Sequence, residues 1–269
     1  MSKVVLITGG SAGIGRTTAT AFAQLGYRLA IAARSPDRLQ DTAIALEKET
    51  NADVLAVPTD VTVPAEVEAL VQATLDRYGE IDILVNNAGI CASGPFQDTT
   101  LEQWQQVLDV NLWGCVHAIR AALPHMLARK QGQIVNVSSF GGKMPLPDMV
   151  AYCTSKYAVT GLTDALRLEL QPHGIQVIGI YPGIVKSDFL ERAIFTDEGG
   201  AGTPTQRQQV EAALKSFVSQ SPNAVADAVV DACRSGKTEV VVGPLQLATA
   251  AYQFFPGLVG PLLGGARRA

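Results

Sequence analysis

Tyr152 and Lys156 stand four residues apart, and Ser139 precedes the tyrosine by thirteen. On a helix over 151–170 that spacing puts phenol and ammonium on one face. A phenol ionises near pH 10, too high for ready proton exchange at neutral pH, and a nearby fixed cation lowers that value. Bringing it to about 7 takes roughly 4 kcal/mol. One unit charge about 4 Å away, at an effective dielectric of about 20, supplies that much. The pair can therefore make a tyrosine acid/base. Alone, the same spacing also describes a helix with one surface lysine and one half-buried tyrosine, so the assignment rests on its surroundings.

A second chemical feature joins the first strand to the first helix. Thr8-Gly-Gly-Ser-Ala-Gly-Ile-Gly15 spaces Gly9, Gly13 and Gly15 around Ser11 and Ile14. Glycines permit a tight turn and close approach of backbone to a pyrophosphate. The helix that follows offers free N–H groups and a positive dipole end to that anion.

These residues need a frame. Short β-branched runs at 3–8, 28–33, 53–58, 81–86, 133–138, 175–181 and 238–242 alternate with helical patterns, the mark of a parallel sheet. The spacing predicts helices over 13–25, 36–49, 64–78, 101–129, 151–170 and 223–234. Ser35-Pro36 and Pro64 mark two starts, and Gly79 marks a stop. Near-continuous apolar strands suit a sheet covered on both faces. The fold class is therefore α/β: a Rossmann-type, doubly wound, seven-stranded parallel sheet in a single domain, 1–269. In such sheets ligands bind outside the carboxyl ends of the strands, where each chemical feature falls.

Composition excludes other classes. Net charge is −4, and scattered basic residues argue against nucleic acid as partner. Cys91, Cys115, Cys153 and Cys233 have no C-x-x-C spacing, and the three histidines are dispersed, so no metal site is expected. Unpatterned cysteines and the absence of a cleavable leader point to the cytoplasm. Residues 245–266 carry no charge for 22 positions, and Arg267-Arg268 follow. Pro256, Gly257, Gly260 and Pro261 interrupt this stretch and argue against a span. The apolar tail, about 243–269, is expected to pack on its own domain or a partner subunit, with peripheral membrane contact as the lesser alternative.

Taken in order, T-G-x-x-x-G-x-G, Asn86-Asn-Ala-Gly89, Asn111, Ser139, Tyr152-x-x-x-Lys156 and Pro182-Gly183 resemble the short-chain dehydrogenase/reductase family over about residues 1–190. The resemblance implies hydride transfer between a nicotinamide and a carbonyl or carbinol carbon. Tyr152 would be the acid/base, Ser139 would position the oxygen, and Lys156 would serve phenol and cofactor ribose. Asn111 would hold a relay water. Ser139, rather than Ser138, fits the family's spacing to the tyrosine. The first Asn of the Asn86-Asn-Ala-Gly89 run would tie the sheet together. Asn87, Ala88 and Gly89 would let backbone approach the cofactor, and Asp60 and Val61 would meet its adenine side. Pro182, Gly183, Val185 and Ser187 would meet the nicotinamide.

Ala33 stands where NAD-using relatives carry Asp, and Arg34 follows it. That favours NADP(H), with Arg34 as lead contact and Ser11 and Arg38 as helpers. Residues 188–221 read as a substrate lid. Its Phe189, Leu190, Ile194, Phe195 and Phe217, with Phe96, Phe140, Met144, Leu146 and Met149, suggest an apolar ketone or secondary alcohol as substrate. A 3-oxoacyl-(acyl-carrier-protein) reductase of fatty-acid synthesis is the nearest rival. A non-catalytic NADPH-sensing binding protein is the alternative of another class. The resemblance also implies a homodimer or homotetramer.

Overall fold

The computed structural model describes residues 2–185, 193–196, 208, 219–244 and 246–258. Seven parallel strands form one sheet: β1 Val4–Thr8, β2 Arg28–Ala33, β3 Val54–Pro58, β4 Ile83–Asn86, β6 Gly132–Val137, β7 Ile175–Pro182 and β9 Glu239–Val242. Their spatial order is β3-β2-β1-β4-β6-β7-β9. The order reverses between β1 and β4, so the carboxyl ends of those two strands open the crevice where such sheets bind ligands.

Every residue of β1 is buried, because helices cover both faces. Val4 and Leu6 join one core with residues of α3 Pro64–Tyr78, α4 Leu101–Leu108 and α5 Gly114–Arg129. Val5 and Ile7 join the other with α1 Gly13–Gln24, α2 Pro36–Thr50 and α7 Pro222–Ser235. The period-two alternation of one strand thus feeds two hydrophobic layers.

The punctuation read in the sequence sets the helix ends. Pro36 and Pro64 sit in the first turns of α2 and α3, where a missing N–H costs nothing. Gly79 ends α3 in the left-handed region at φ +78°. Ser35 occupies the N-cap position of α2 without a side-chain capping bond. Thr100 and Gln103 form a reciprocal capping box on α4 that the pattern reading did not single out.

Two departures from expectation matter. The single helix expected over 101–129 is broken: a π-helical turn, Asp109–Trp113, separates α4 from α5, and Gly114 N donates five residues back to Asp109 O. A second small sheet also exists. β5 Ala92–Ser93 pairs in parallel with β8 Ile194–Phe195, pinning part of the expected lid against the segment that follows β4. A Cβ on Gly94 would overlap the Thr196 side chain, so glycine is what admits this close approach. Of the expected lid, 188–221, only residues 193–196, 208 and 219–221 belong to the described residues. The expected tail carries α8, Gln246–Phe254.

Candidate active site

The site grows from the carboxyl ends of β1, β4 and β6. At β1 the chain turns through Gly9, in the left-handed region at φ +67°. A Cβ at Gly15 would overlap Gly9 O, so only glycine lets helix and turn close together. Asn87 Nδ2 donates to Thr8 O at 3.0 Å and to Gly9 O at 3.1 Å. Asn87 and Ala88 N–H groups donate to Thr8 Oγ1 at 3.1 and 3.2 Å. The side chain of Asn87 therefore builds the turn. Asn86 Nδ2 donates to Asn136 Oδ1 at 2.8 Å, and Asn136 Nδ2 to Thr163 Oγ1 at 2.9 Å. This buried chain locks β4, β6 and helix α6, Val150–Leu170, in one frame.

On α6, Tyr152 and Lys156 share one face as the spacing requires, 7% and 5% exposed, and Ser139 is equally buried at the end of β6. Tyr152 and Ser139 side chains are hydrogen-bonded, and Ser139 Oγ also accepts from Gly141 N at 3.1 Å. Ser138 does not join them: its Oγ donates to Lys156 O at 3.0 Å and ties β6 to α6. Lys156 Nζ donates to Val137 O at 3.1 Å and lies 5.9 Å from the Tyr152 ring centroid. A Cβ on Gly89 would come 3.5 Å from Nζ, so bare backbone at Gly89 faces the ammonium.

Asn111 sits in the π-helical turn, fully buried. Its Oδ1 accepts from Ile90 N at 2.8 Å, and its Nδ2 donates to Ile90 O and to Ser155 Oγ, both at 2.9 Å. The amide clamps the segment after β4 to α6. Its main-chain carbonyl accepts from Cys115 Sγ at 3.2 Å. Asparagine is a weak helix former, in keeping with a broken helix here, and π-turns recur at functional sites.

The electrostatics correct one expectation. Burial pushes the Tyr152 phenol up, Cys91 and Cys153 push it further, and the hydrogen bond with Ser139 pulls it down. Burial likewise pushes the Lys156 ammonium down, against Cys115 and Cys91. A gain of roughly 4 kcal/mol from one cation near 4 Å ignored the several kcal/mol that each charge loses on leaving water. The structure buries both groups and holds the ammonium beside the ring. The hydrogen bond with Ser139 favours the phenolate against that burial.

A cleft of about 370 Å³ opens beside the glycine turn, lined by Ser11, Ala12, Gly13, Arg16, Arg38, Asp41 and Thr42. Ala12, the N-cap of α1, provides no side-chain cap, which leaves first-turn N–H groups for a ligand. These amides with two guanidinium groups suit a phosphate-bearing cofactor. Of the residues expected at a 2′-phosphate, Ser11 and Arg38 line this cleft. Arg34 is exposed just before α2 and is not among its lining residues. Arg16 and Thr42 were missed. Arg16 follows Gly15 directly, so its place on the first turn of α1 was a usable signal.

Other expected contacts are partly committed elsewhere. Asp60 Oδ1 accepts from Thr62 N and Thr62 Oγ1 at 2.9 and 2.8 Å, a loop cap. Val61 is buried, and its carbonyl meets His117 Nδ1 at 2.9 Å. Gly183 N donates to Val242 O at 3.2 Å, following Pro182 at the end of β7, and Val185 bridges to Gln220. Ile14 lies on the first turn of α1. Ser187 lies outside the described residues. Near the tyrosine, Met144 is buried and Phe140, Leu146 and Met149 are half-buried, whereas Phe96 is exposed.

Comparison with known proteins agrees with this geometry. The family model described as short chain dehydrogenase matches residues 3–198. An uncharacterized oxidoreductase of Staphylococcus saprophyticus is 33% identical over 230 residues, 84% of this chain and 88% of the relative. A short chain dehydrogenase/reductase from Burkholderia phymatum, solved in complex with NAD, superposes with a TM-score of 0.86 at 29% identity, covering 96% of this chain and 95% of that one. An alcohol dehydrogenase from the archaeon Thermococcus sibiricus, complexed with 5-hydroxy-NADP, superposes at 0.76 with 27% identity, covering 90% and 97%.

Proposed function

The chain belongs to the short-chain dehydrogenase/reductase family of oxidoreductases, and from that premise we propose that it is an NADP(H)-dependent carbonyl reductase, in reverse an alcohol dehydrogenase, for apolar ketones and secondary alcohols. The observation that carries this reading is the buried Tyr152–Ser139 hydrogen bond, with the Lys156 ammonium 5.9 Å from the tyrosine ring. A bound nicotinamide supplies or accepts the hydride. Everything else falls to the chain. In reduction Tyr152 donates a proton to the substrate oxygen, and Ser139 holds the same oxygen by a hydrogen bond. Lys156 keeps a positive charge beside the phenol and the bare backbone of Gly89. Asn111 keeps Lys156's surroundings in register and lines the buried side along which the proton is resupplied.

Arg16 and Arg38 in one cleft with the α1 amides, and Ala33 in place of an acidic residue, support NADP(H) over NAD. Asp41 lines the same cleft. The alternative cofactor reading would need a carboxylate at position 33, which the chain lacks. Met144, Leu146 and Phe140 beside Ser139, with Ile194 pinned nearby by β5, support an apolar substrate.

The test is a panel of ketones, sugars and a 3-oxoacyl thioester, read by NADPH or NADH absorbance. Apolar ketones should be turned over fastest. NADPH should exceed NADH about 10- to 100-fold in kcat/KM, the worth of one charge-assisted contact of about 1.5–3 kcal/mol. Equal use of both cofactors would overturn the NADP(H) reading, and preference for sugars or the thioester would overturn the apolar-ketone reading. Tyr152→Phe should keep NADPH binding by fluorescence titration and lose nearly all turnover; near-normal turnover would sink the acid/base assignment.

A further inference from the structure

Lys143 is a buried cation that the reaction proposed above leaves without a part. Its side chain is 7% exposed, and Nζ pairs with Glu239 Oε1 at the start of β9, 3.0 Å away. The same Nζ stands 4.3 Å from the ring centroid of Tyr181, a fully buried residue of β7. Taking an ammonium out of water is expensive, and apolar residues of similar volume often serve stability as well. A buried ion pair is therefore weak support for stability; its better-attested use is to fix one arrangement of the chain.

The arrangement at stake is the turn that carries Ser139. Ser139 is the N-cap of a 3-10 turn, Phe140–Gly142, and Lys143 is its C-cap. Gly142 N donates to Ser139 O and Lys143 N to Phe140 O, both at 2.9 Å. One side of the turn is seated on α6. Thr160 Oγ1 donates to Gly142 O at 3.2 Å, and a Cβ at Gly142 would come 2.6 Å from Lys156 O and from Ser138 Oγ. The far end is tied to the sheet by Lys143. Its partner Tyr181 directly precedes Pro182, the last residue of β7.

We propose, on the premise of the reduction proposed above, that Lys143 is a positioning residue: its ammonium, held between Glu239 and Tyr181, sets the Ser139 turn so that Ser139 Oγ meets the Tyr152 hydroxyl and the substrate oxygen. The ammonium is committed to β7 and β9, so it acts through Ser139. Glu239 is 42% exposed, and water weakens that half of the hold. The Tyr181 ring supplies the desolvated half, where a cation over an aromatic face is held more strongly.

The test is a kinetic cycle on the full chain, read by NADPH absorbance with an apolar ketone. Lys143→Met keeps the apolar stem and removes the charge. Its kcat should fall about 10- to 100-fold, since a displacement of about 1 Å at a positioned group can cost about 100-fold. KM for the ketone and NADPH affinity should stay within about threefold, a split that general loosening of the fold would not produce. Lys143→Arg keeps a cation for Glu239 and Tyr181 and should return kcat to within about fivefold of wild type. In a Ser139→Ala background Lys143→Met should cost no more than about a further threefold, because both changes act on one contact. Glu239→Gln alters the exposed partner and should lower kcat about three- to fivefold at unchanged KM; it decides the matter if Lys143→Met does not fold. A folded Lys143→Met with kcat within about threefold of wild type would overturn the proposal, as would equal losses in the methionine and arginine variants or an undiminished loss in the Ser139→Ala background. Wild-type kcat in Glu239→Gln would do the same where Lys143→Met does not fold. Ser139→Ala at wild-type turnover would sink the reading of the reaction and this role with it, whereas a slow Ser139→Ala beside an unimpaired Lys143→Met would sink this role alone.

Discussion

Ser139→Ala isolates the hydrogen bond that sets the tyrosine. Ser139 Oγ does two jobs: it shares a hydrogen bond with Tyr152 and accepts from Gly141 N at 3.1 Å. Removing a positioned hydrogen-bonding group from the reacting oxygen costs about 10²–10³ in kcat, or roughly 2.7–4 kcal/mol. Leaving a buried amide without its acceptor costs a further 1–3 kcal/mol, roughly, in stability. Turnover and thermal melting should therefore fall together, whereas NADPH affinity should hold. Ser139 is the group that draws the phenol down against burial. Its loss raises the phenol further, so the alkaline limb of the reduction rate moves to higher pH. Ser139 and Tyr152 address one oxygen, so their effects should not add. The double variant with Tyr152→Phe should be no slower than Tyr152→Phe by more than a few-fold. Additive losses in the double variant, or a Ser139→Ala kcat within threefold of wild type, would refute the shared-oxygen arrangement.

Gly15→Ala places a Cβ onto Gly9 O; the turn has to open, and NADPH binding by fluorescence titration should drop at least tenfold, while wild-type affinity would contradict the geometry. The chain should also lose stability in alkali. Burial holds the Cys115 thiol up at about 11 from an ordinary value of 9.0, so its contribution is intact below pH 9 and is lost as pH rises toward 11, by about 3 kcal/mol over that window. Burial raises Tyr78 to about 12, which extends the decline in the same direction. Urea midpoints measured from pH 8 upward should fall steadily, and a flat profile would exclude these buried neutral groups.

Much of the frame was legible because it rests on local signals. The strand runs of β1 and β2 are apolar at nearly every position, and Pro36, Pro64 and Gly79 punctuate helices by steric rules that no tertiary contact alters. The pairing of β5 with β8 was not legible: two residues per strand cannot display a period, and the partner lies some hundred residues away. The side-chain role of Asn87 was not legible either. Its motif pointed to backbone approaching a ligand, and its side chain proved to be the brace of the glycine turn. Arg38 lines the cleft and Arg34 is exposed just before α2; the direction of the loop into α2 sets these places, and that direction is a tertiary property.

The tyrosine–lysine pair shows where spacing stops being informative. Four residues on a helix fix a shared face, and that much the structure returns. The same spacing says nothing about solvent, and solvent decides the sign. Both groups are buried, which pushes the phenol up and the ammonium down, and the phenol is held as the proton donor. That state suits reduction, in which Tyr152 must carry its proton until the substrate oxygen develops charge. A cation held 5.9 Å from the ring by Val137 O stabilises the phenolate after the proton has left, in a low-dielectric site where one charge counts for more than in water. In the proposed reduction Ser139 positions the transfer, and Lys156 stabilises the phenolate it leaves.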